Sequence, residues 1–330
     1  MSNVETDPVE TRCRARVESA DSPDHPAVEI VTSREVPLGG PRAMQVRRTL
    51  PQRARSLIGA WCFADHYGPE DVRDGGGMVV PPHPHTGLQT VSWLFSGEVE
   101  HRDSSGVRAL VEPGELNLMT GGYGICHSEV STPATSVLHG VQLWVALPDA
   151  HRDAPRDFQH HVPDVVHHDG AAIRVFLGSL AGTSAPVRTF TPLVGAEITL
   201  KPDAVVELDV DPAFEHGVLV DKGPISVSGT PVAPATLGYV GVGATCLRLA
   251  NPAVEPARVV LLGGEPFDED IVMWWNFVGR SHDEIVRFRE AWQQEAEQFG
   301  RVDGYVGDPM RLPAPALPTT RLRPRRSPGR

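Results

Sequence analysis

The chain has no apolar run of about 18 residues or more, the length that a membrane-spanning helix requires. Its first residues lack the basic region and the apolar stretch of a secretory signal. The 4 cysteines show no CxxC spacing and are too few for a disulfide framework. The net charge of −12 disfavours binding to nucleic-acid phosphates. We therefore expect a cytoplasmic protein whose partner is neither a membrane nor a nucleic acid.

Signatures of hydrolases and of nucleotide-binding proteins are also missing, because the chain contains no Ser-His-Asp elbow, no P-loop and no GxGxxG. It is instead rich in glycine and proline, with 32 and 31 among its 330 residues. Such a composition is typical of many short strands joined by tight turns. Since 40% hydrophobic residues can fill two cores, the composition predicts an all-β protein of two domains with tails.

The distribution of apolar and polar residues divides the chain into segments. Short apolar strands separated by polar turns recur about every eight to twelve residues in two series, which is typical of β-sandwiches and barrels. A stretch rich in Asp, His and Pro separates the series, and polar stretches flank them. The predicted segments are a disordered lead-in (1–25), a first barrel (26–150), a linker (151–170), a second barrel (171–305) and a disordered basic tail (306–330).

One helix is predicted near the end of the second barrel, over residues 282–299. Ser281 followed by Glu284 forms a capping box, and Gly300 is placed to end the helix. Apolar residues recur between them at near-helical spacing, so we expect an apolar stripe that packs against a barrel. For the arginine-rich tail beyond the helix, solvated disorder is favoured over a nucleic-acid site.

Two short strings in the first strand series carry residues that can bind a metal ion. His83 and His85 form one pair, and His127 and Glu129 form a second. Since side chains at i and i+2 of a strand point to the same face, each pair converges on one side of its strand. Two such pairs can close one mononuclear site. Imidazole and carboxylate suit Fe, Mn, Ni, Cu or Zn, and only some of these ions would leave positions open for a substrate.

The second strand series resembles a repeat of the first that lacks these ligands. A gapless overlay that starts at Val111 and Val232 aligns His127 with Arg248. No His-x-His string occurs in residues 171–264. The sequence therefore predicts one metal site in the first barrel and none in the second. A slip of one residue in the overlay would exchange the two faces of each strand.

Other titratable residues are assigned structural roles. His101 lies in a strand with Glu98 and Glu100 and is expected on the surface of a hairpin. Alternation turns Cys126 away from the face of His127, which predicts a buried, inert thiol. A solvated loop is the favoured interpretation for the histidines of the linker, which are His160, His161, His167 and His168.

Three stretches around the metal strings closely resemble the pirin family of the cupin superfamily. They run from His83 to Val91, from Gly97 to Ser104 and from Met119 to Glu129. Gly264 to Val272, together with the capped helix, resembles the C-terminal ending of the same family. The likeness extends over residues 28–300.

The resemblance implies a fold of two cupin β-barrels in tandem with a short C-terminal helix, and one mononuclear Fe(II) in the first barrel. Zn, Mn, Ni or Cu remain alternatives for the ion. Carried over by position, the implied ligands are His83, His85, His127 and Glu129. Many members carry a Glu four residues after the second His, where this chain has Gln89. Glu129 is then the only implied catalytic base, and we expect Gln89 and Trp93 to line the pocket.

The resemblance implies two functions of different classes. Several bacterial pirins resemble quercetin 2,3-dioxygenases, so the chain is expected to cleave a flavonol-like aromatic small molecule with dioxygen. The alternative is a non-catalytic, iron-dependent redox sensor that binds a transcription factor or a metabolic enzyme. The first interpretation is favoured because the implied ligand set leaves coordination positions open.

Overall fold

We describe the fold from a computed structural model, which describes residues 26–38, 44–73 and 77–324. The predicted lead-in of residues 1–25 and residues 325–330 of the predicted tail lie outside the described residues. Within the described ranges the structure consists of β-strands, one 3-10 turn and one α-helix. The all-β prediction is confirmed.

The first half of the chain forms strands that build most of the first barrel. In chain order they are β1 (Val28–Thr32), β2 (Arg34–Leu38), β3 (Met44–Leu50), β4 (Trp61–Asp71), β5 (Val79–His85), β6 (Leu88–Ser96), β7 (Val99–Asp103), β8 (Arg108–Val111), β9 (Leu116–Thr120), β10 (Ile125–Ser131), β11 (Val137–Ala146) and, after a 3-10 turn at Asp149–His151, β12 (Asp157–His161).

The second half repeats this strand-rich pattern and ends in a helix. Its elements are β13 (Val166–His168), β14 (Ala171–Leu177), β15 (Ser179–Leu180), β16 (Thr183–Ser184), β17 (Leu193–Leu200), β18 (Val205–Asp209), β19 (Glu215–Lys222), β20 (Ile225–Val227), β21 (Thr230–Val232), β22 (Thr236–Val240), β23 (Cys246–Ala250), β24 (Ala257–Gly264), β25 (Val272–Trp274), β26 (Phe277–Gly279) and α1 (His282–Gln293).

Each barrel pairs a seven-stranded sheet with a four-stranded sheet. In the first barrel the strand orders are β12-β9-β6-β11-β4-β3-β2 and β5-β10-β7-β8. In the second barrel they are β1-β22-β19-β24-β17-β14-β13 and β18-β23-β20-β21. The N-terminal strand β1 therefore pairs with β22 of the second barrel, with Val28 opposite Val240. The repeat inferred from the sequence corresponds to this shared architecture.

The predicted linker, residues 151–170, is more ordered than the sequence suggested. It contains β12, which pairs with β9 of the first barrel, and β13, which pairs with β14 of the second. Both are edge strands held by backbone hydrogen bonds, which do not require an apolar alternation in the sequence. The composition of the linker concealed them for this reason.

The interior of the second barrel is filled by apolar side chains. Strand β18 illustrates the alternation, because Val206 and Leu208 point inward while Glu207 is exposed. Aliphatic residues of the other strands complete a continuous core. A second apolar cluster joins the two barrels and combines Trp61 and Val91 of the first with Leu262 of the second. Among the described residues, no group of potential metal ligands lies within this apolar core.

Helix α1 begins where the sequence predicted and ends earlier. The Ser281 side chain accepts a hydrogen bond from the Glu284 backbone amide, as an N-cap should. The predicted helix 282–299 stops at Gln293, because Glu295 adopts a left-handed conformation with φ of 53°. The turns after the helix still bury Phe299 against Trp292, with ring centroids 5.5 Å apart.

The predicted disordered tail, residues 306–330, packs against the protein as far as it is described. The Leu312 amide donates to the Pro82 carbonyl of β5 at 2.9 Å. Arg311 stacks on Trp292, with its guanidinium carbon 4.2 Å from the ring centroid, and Arg321 pairs with an acid on α1. Basic residues that suggested a solvated tail are therefore partly used to attach it. No helix in the described ranges has the length and apolar character to cross a membrane.

Candidate metal centre

Strands β5 and β10 are antiparallel neighbours, and their register brings the two metal strings together. His127 lies opposite His83, and Ile125 lies opposite His85. The register shifts between His127 and Glu129, so that Glu129 faces Val80. A β-bulge at such a point re-aims the side chains on either side of it. The i and i+2 spacing read from the sequence thus becomes a cluster inside the first barrel.

The three histidine rings form a compact and fully buried group. Each of His83, His85 and His127 has 0% of its surface exposed. Their ring centroids are 4.3 to 5.1 Å apart, and one ligand nitrogen from each lies within 4.8 Å of the others. The Nε2 atoms of His85 and His127 are 3.0 Å apart. Three imidazoles therefore present nitrogens to one small volume.

Hydrogen bonds on the outer nitrogens fix the tautomers of two rings. His83 Nδ1 lies 2.9 Å from the Pro81 carbonyl, and His85 Nδ1 lies 3.2 Å from the Asn276 carbonyl. A carbonyl only accepts, so both Nδ1 atoms carry the proton and both Nε2 atoms present lone pairs inward. His83 Nε2 is buried without a hydrogen-bond partner. A buried nitrogen lone pair that meets no donor is suited to a cation, so the residues fit a metal ion.

Burial also keeps these rings in the form that binds metals. Loss of hydration lowers the pKa of His83 to about 3. Burial, followed by repulsion from His83, lowers the pKa of His85 and His127 well below the usual value. Only the neutral imidazole has a lone pair to donate, so a low pKa keeps the ligands available at neutral pH.

Glu129 lies beside the three-histidine group. One of its carboxylate oxygens is within 4.8 Å of ligand nitrogens of His127 and His101. Ser92 links it to the barrel wall, because the hydroxyl is 3.4 Å from Glu129 Oε1 and 3.0 Å from Gln142 Oε1. The carboxylate is thus close enough to join the ligand set, and the Ser92 hydroxyl lies beside it.

His101 is not on the surface of a hairpin, as the sequence suggested. It is 3% exposed, and its Nδ1 lies 3.3 Å from Nδ1 of His127. Its Nε2 lies 3.2 Å from Asp103 Oδ2. The alternation of β7 carried the signal, since Val99, His101 and Asp103 share the buried face while Glu100 lies on the other. The acidic neighbours of His101 obscured that pattern.

The two residues expected to line the pocket are placed elsewhere. Gln89 Nε2 donates to Thr120 Oγ1 at 3.0 Å, and Trp93 Nε1 donates to Glu197 of the second barrel at 2.8 Å. Side chains of a strand point alternately to its two faces, so Gln89 and Trp93 lie on one face of β6 and Ser92 lies on the other. Ser92 is the residue that contacts Glu129. The structure does not bring them together with the histidine group.

Other polar and aromatic residues share the interior of the first barrel with the histidine group. Trp144 packs edge-on against His85 at 5.2 Å and stacks on Phe63 at 4.1 Å. Arg48 and Asp65 form a buried bidentate pair, with nitrogen-oxygen distances of 2.7 and 2.8 Å. This barrel therefore has aromatic walls and paired charges, unlike its apolar repeat.

The corresponding strand of the second barrel shows why the repeat holds no such site among the described residues. The gapless overlay placed Arg248 opposite His127, but the Arg248 side chain is 44% exposed and points outward. Leu247 and Leu249 occupy the inward positions instead. The overlay was therefore slipped relative to the faces of the strand, although its conclusion that ligands are missing still agrees with the apolar core.

A second group of potential ligands lies between the barrels. His66 and His139 place their Nε2 atoms 2.7 and 2.6 Å from the same Asp221 oxygen, and all three residues are buried. Arg258 donates to the other oxygen of Asp221 at 2.7 Å, and the Arg47 guanidinium is 3.5 Å from His66. Two adjacent guanidinium groups repel a cation, so we interpret this group as a hydrogen-bonded link between the barrels.

The Cys126 thiol is buried, as the sequence indicated, whereas the linker histidines lie on strands β12 and β13 and not in a solvated loop. Burial raises the pKa of the Cys126 thiol to about 11, which makes it a poor nucleophile at neutral pH. The linker histidines join no group with metal-ligand spacing among the described residues, which holds for His160, His161, His167 and His168.

Comparison with known families agrees with this architecture. Residues 43–145 match the family described as Pirin, and residues 195–299 match the one described as Pirin C-terminal cupin domain. The chain belongs to the pirin family. The prediction of two cupin barrels in tandem is confirmed by this pair of matches.

Relatives with similar sequences extend over most of the chain. A Pseudomonas aeruginosa protein named "Putative quercetin 2,3-dioxygenase" is 45% identical over 291 residues, 87% of this chain and 90% of its own length. A "Pirin-like protein" of Caulobacter vibrioides is 33% identical over 76% of this chain and 88% of its own. The crystal structure of quercetin 2,3-dioxygenase from Acinetobacter baumannii is 37% identical, has a TM-score of 0.84 and covers 89% of this chain and 96% of its own.

Proposed function

We propose that this pirin is a mononuclear iron-dependent dioxygenase that cleaves a flavonol-like aromatic substrate. The observation that carries the proposal is the buried group of His83, His85 and His127, in which two tautomers are fixed and one inward nitrogen has no partner. The names of the Pseudomonas and Acinetobacter relatives support the same class of reaction.

The proposed ligands are His83, His85, His127 and Glu129. When bound, Fe(II) would supply the redox chemistry by which dioxygen reacts with an aromatic substrate, since this ligand set leaves coordination positions open. Zn, Mn, Ni or Cu would satisfy the same nitrogen and oxygen donors, so metal analysis decides between them.

The chain itself contributes orientation and a base. Glu129 is a buried carboxylate with an oxygen within 4.8 Å of a ligand nitrogen of His127, and it would accept the hydroxyl proton of the substrate. The Ser92 hydroxyl of β6 lies 3.4 Å from its Oε1, and the same hydroxyl lies 3.0 Å from Gln142 Oε1 of β11. Trp144 and Phe63 stack on each other beside His85 and give this part of the barrel interior an aromatic wall.

The test is oxygen consumption by the purified protein loaded anaerobically with Fe(II) and then mixed with quercetin in aerated buffer. We expect uptake that requires the metal and that is lost in His83→Ala together with the bound iron. His216→Ala is the matched control, because His216 is also buried but lies in the second barrel. It should keep both iron and uptake.

One result would contradict the enzyme proposal. If the wild type binds one iron per chain and consumes no oxygen with quercetin, flavonol cleavage is not the function of the site. The alternative of an iron-dependent regulator would then be favoured.

A further inference from the structure

A short hairpin from the C-terminal part of the chain reaches the histidine group of the first barrel. Strands β25 and β26 pair with each other, and Trp275 and Asn276 form the turn between them. The Asn276 backbone carbonyl accepts from His85 Nδ1 at 3.2 Å, although the two residues are 191 positions apart in the sequence. The hairpin follows the last strand of the second barrel, whereas all four proposed ligands lie in the first.

We propose that hairpin β25–β26 is a positioning element of the metal centre, and that Gly87 and Trp275 are the positioning residues that set the distance between its turn and His85. The hairpin meets the outer side of the His85 ring, so it would act through that ligand. The inference rests on the proposed function only in that the histidine group binds a metal ion. It does not depend on which reaction the metal supports.

Backbone groups join the hairpin to the turn that follows the ligand strand β5. The Val278 amide donates to the Thr86 carbonyl at 3.0 Å, and Thr86 forms a parallel β-bridge with Phe277. Thr86 directly follows His85 in the chain. A displacement of β26 would therefore reach His85 by two routes, through the backbone of Thr86 and through the Asn276 carbonyl.

Gly87 allows the turn and the hairpin to approach each other closely. Its φ is 67°, and a methyl group at this position would lie 2.3 Å from the Val278 carbonyl oxygen. The obstacle is backbone, so it cannot rotate away. The turn is also held from its other sides, since the Gly87 amide donates to the Gly122 carbonyl at 2.8 Å and the Gly87 carbonyl accepts from the Leu147 amide at 3.0 Å. A side chain at residue 87 would therefore separate β26 from the end of β5.

Trp275 holds the tip of the hairpin in an unusual conformation. Its φ is 54°, which a bulky residue adopts only when its surroundings impose it. The indole is 3% exposed and packs edge-on against Phe277, with ring centroids 5.4 Å apart. Both residues belong to an apolar cluster that includes Ile285 and Trp292 of α1. The packing of the indole therefore fixes the backbone that carries the Asn276 carbonyl.

The contact between Asn276 and His85 has the properties expected of support for a metal ligand. Both residues have 0% of their surface exposed, so water does not compete for the hydrogen bond. A hydrogen bond on the outer nitrogen fixes the orientation of the imidazole ring. Loss of such support lowers metal affinity by about 10- to 100-fold.

Gly87→Ala tests this arrangement, and Gly178→Ala is its matched control. Gly178 has a φ of 68°, and a methyl group there would also meet a backbone carbonyl oxygen, that of Leu193, at 1.8 Å. Gly178 lies in the second barrel, between β14 and β15. Both variants therefore combine the same backbone strain with the same kind of collision, but only residue 87 faces the hairpin.

The first measurement is Fe(II) affinity under anaerobic conditions, by competition with a chelator, together with urea denaturation of the metal-free proteins. We expect Gly87→Ala to lose about 10- to 100-fold in affinity. Gly178→Ala should keep the wild-type affinity although it is also less stable than the wild type. The second measurement is hydrogen exchange of the metal-free proteins, in which the Val278 amide should exchange faster in Gly87→Ala than in Gly178→Ala.

Trp275→Gly is a second variant, which tests the inference if Gly87→Ala does not fold. A glycine accepts the left-handed turn without a collision, but it removes the packing that fixes the turn. We again expect Fe(II) affinity to fall by about 10- to 100-fold.

The inference is overturned if Gly87→Ala and Gly178→Ala lose Fe(II) affinity equally, or if Gly87→Ala or Trp275→Gly binds Fe(II) as the wild type does. A wild type that binds no Fe(II) would overturn it together with the proposed function. Failure of the proposed function alone looks different. In that case the wild type binds Fe(II) tightly and Gly87→Ala binds it weakly, while neither consumes oxygen with quercetin.

Discussion

At the scale of single residues, the state of each imidazole matters as much as its position. Three neutral histidines within 4.8 Å of one another are stable in a buried site only if their lone pairs meet a positive charge or a donor. The outer hydrogen bonds of His83 and His85 direct those lone pairs inward. The site is therefore prepared for a cation by the backbone as well as by the side chains.

The role of Glu129 as a base gives a prediction at the same scale. In Glu129→Gln the three histidines remain to hold iron, but the amide cannot accept a proton. We expect turnover per bound iron to fall by about 10²- to 10⁴-fold, while iron content falls much less. Oxygen uptake normalised to iron content, measured in the same samples, checks this expectation.

Glu215→Gln is the matched control for that experiment. Glu215 is also buried, and it accepts from Tyr239 and from the Gly59 amide at the boundary between the barrels. Its replacement should leave turnover per iron unchanged even if the protein is less stable. Uptake that merely follows iron content in Glu129→Gln would show that the carboxylate is a ligand and not a base.

Strand alternation predicts that His83 and His85 share one face, and the same rule applies on strands where neighbouring residues obscured it. The spacing of His83 with His85 is sufficient to place both on one face. On β7 the same rule places His101 on the buried face together with Val99. On β6 it places Trp93 and Ser92 on opposite faces. What the sequence could not provide is the distance between neighbouring strands, on which the contact of His101 with His127 depends.

At the scale of elements, the segment after α1 supports the site from outside. The Leu312 amide binds the Pro82 carbonyl, one residue before His83, and the Leu312 carbonyl accepts from Trp292 Nε1 at 2.8 Å. This segment covers the free edge of β5, which is the outer strand of its sheet. Covering an exposed edge protects its unpaired backbone groups.

Removal of this segment gives the second prediction. A chain ending at Asp308 loses these hydrogen bonds and the stacking of Arg311 on Trp292. We expect the free energy of unfolding to fall by roughly 2–4 kcal/mol and the emission of Trp292, now 3% exposed, to shift to longer wavelength. Urea denaturation and tryptophan fluorescence measure both effects.

A chain lacking only residues 325–330 is the control, because it keeps every one of these described contacts. It should unfold like the full chain. Equal stability and equal emission for the full chain and the chain ending at Asp308 would contradict the supporting role.

The start of α1 was predictable from the sequence, whereas its end and the course of the tail were not. Ser281 and Glu284 provided a local signal that tertiary contacts did not alter. The helix ends because Glu295 adopts a left-handed conformation. A glycine at this position would have predicted the end, but the sequence has none there. The tail was assigned to disorder from composition alone, although its arginines bind the ring of Trp292 and the carboxylate of Asp283.

At the scale of the whole molecule, two barrels of the same architecture have diverged in their interiors. The first encloses histidines and paired charges, and the second encloses aliphatic residues. Strand β1, at the start of the chain, is an edge strand of the seven-stranded sheet of the second barrel, although the strands that follow it build the first barrel. Sequence patterns predict strands but not such non-local pairing, which explains why the partner of β1 could not be assigned in advance.

The second barrel gives a prediction about pH. Burial lowers the pKa of His216 to about 4 from 6.5. Between these values the unfolded chain binds a proton that the folded chain does not, so stability is lost as pH falls from about 6.5 to about 4. Over this pH range, protonation of His216 lowers the free energy of unfolding by roughly 3 kcal/mol. Denaturation of the wild type and of His216→Leu at pH 7 and pH 4.5 should show a smaller loss in the variant.

His151→Gln serves as the control for that comparison, because His151 is exposed on the 3-10 turn. Its stability should depend on pH as the wild type does. An identical pH dependence in His216→Leu and the wild type would show that His216 is not held neutral by burial.

The central claim is that one metal ion binds in the first barrel and that its repeat binds none. Anomalous diffraction from crystals grown with Fe(II) tests it most directly. We predict one peak per chain, between the Nε2 atoms of His83, His85 and His127 and next to Glu129. A peak at the group of His66, His139 and Asp221, or no peak at the three histidines, would contradict the account.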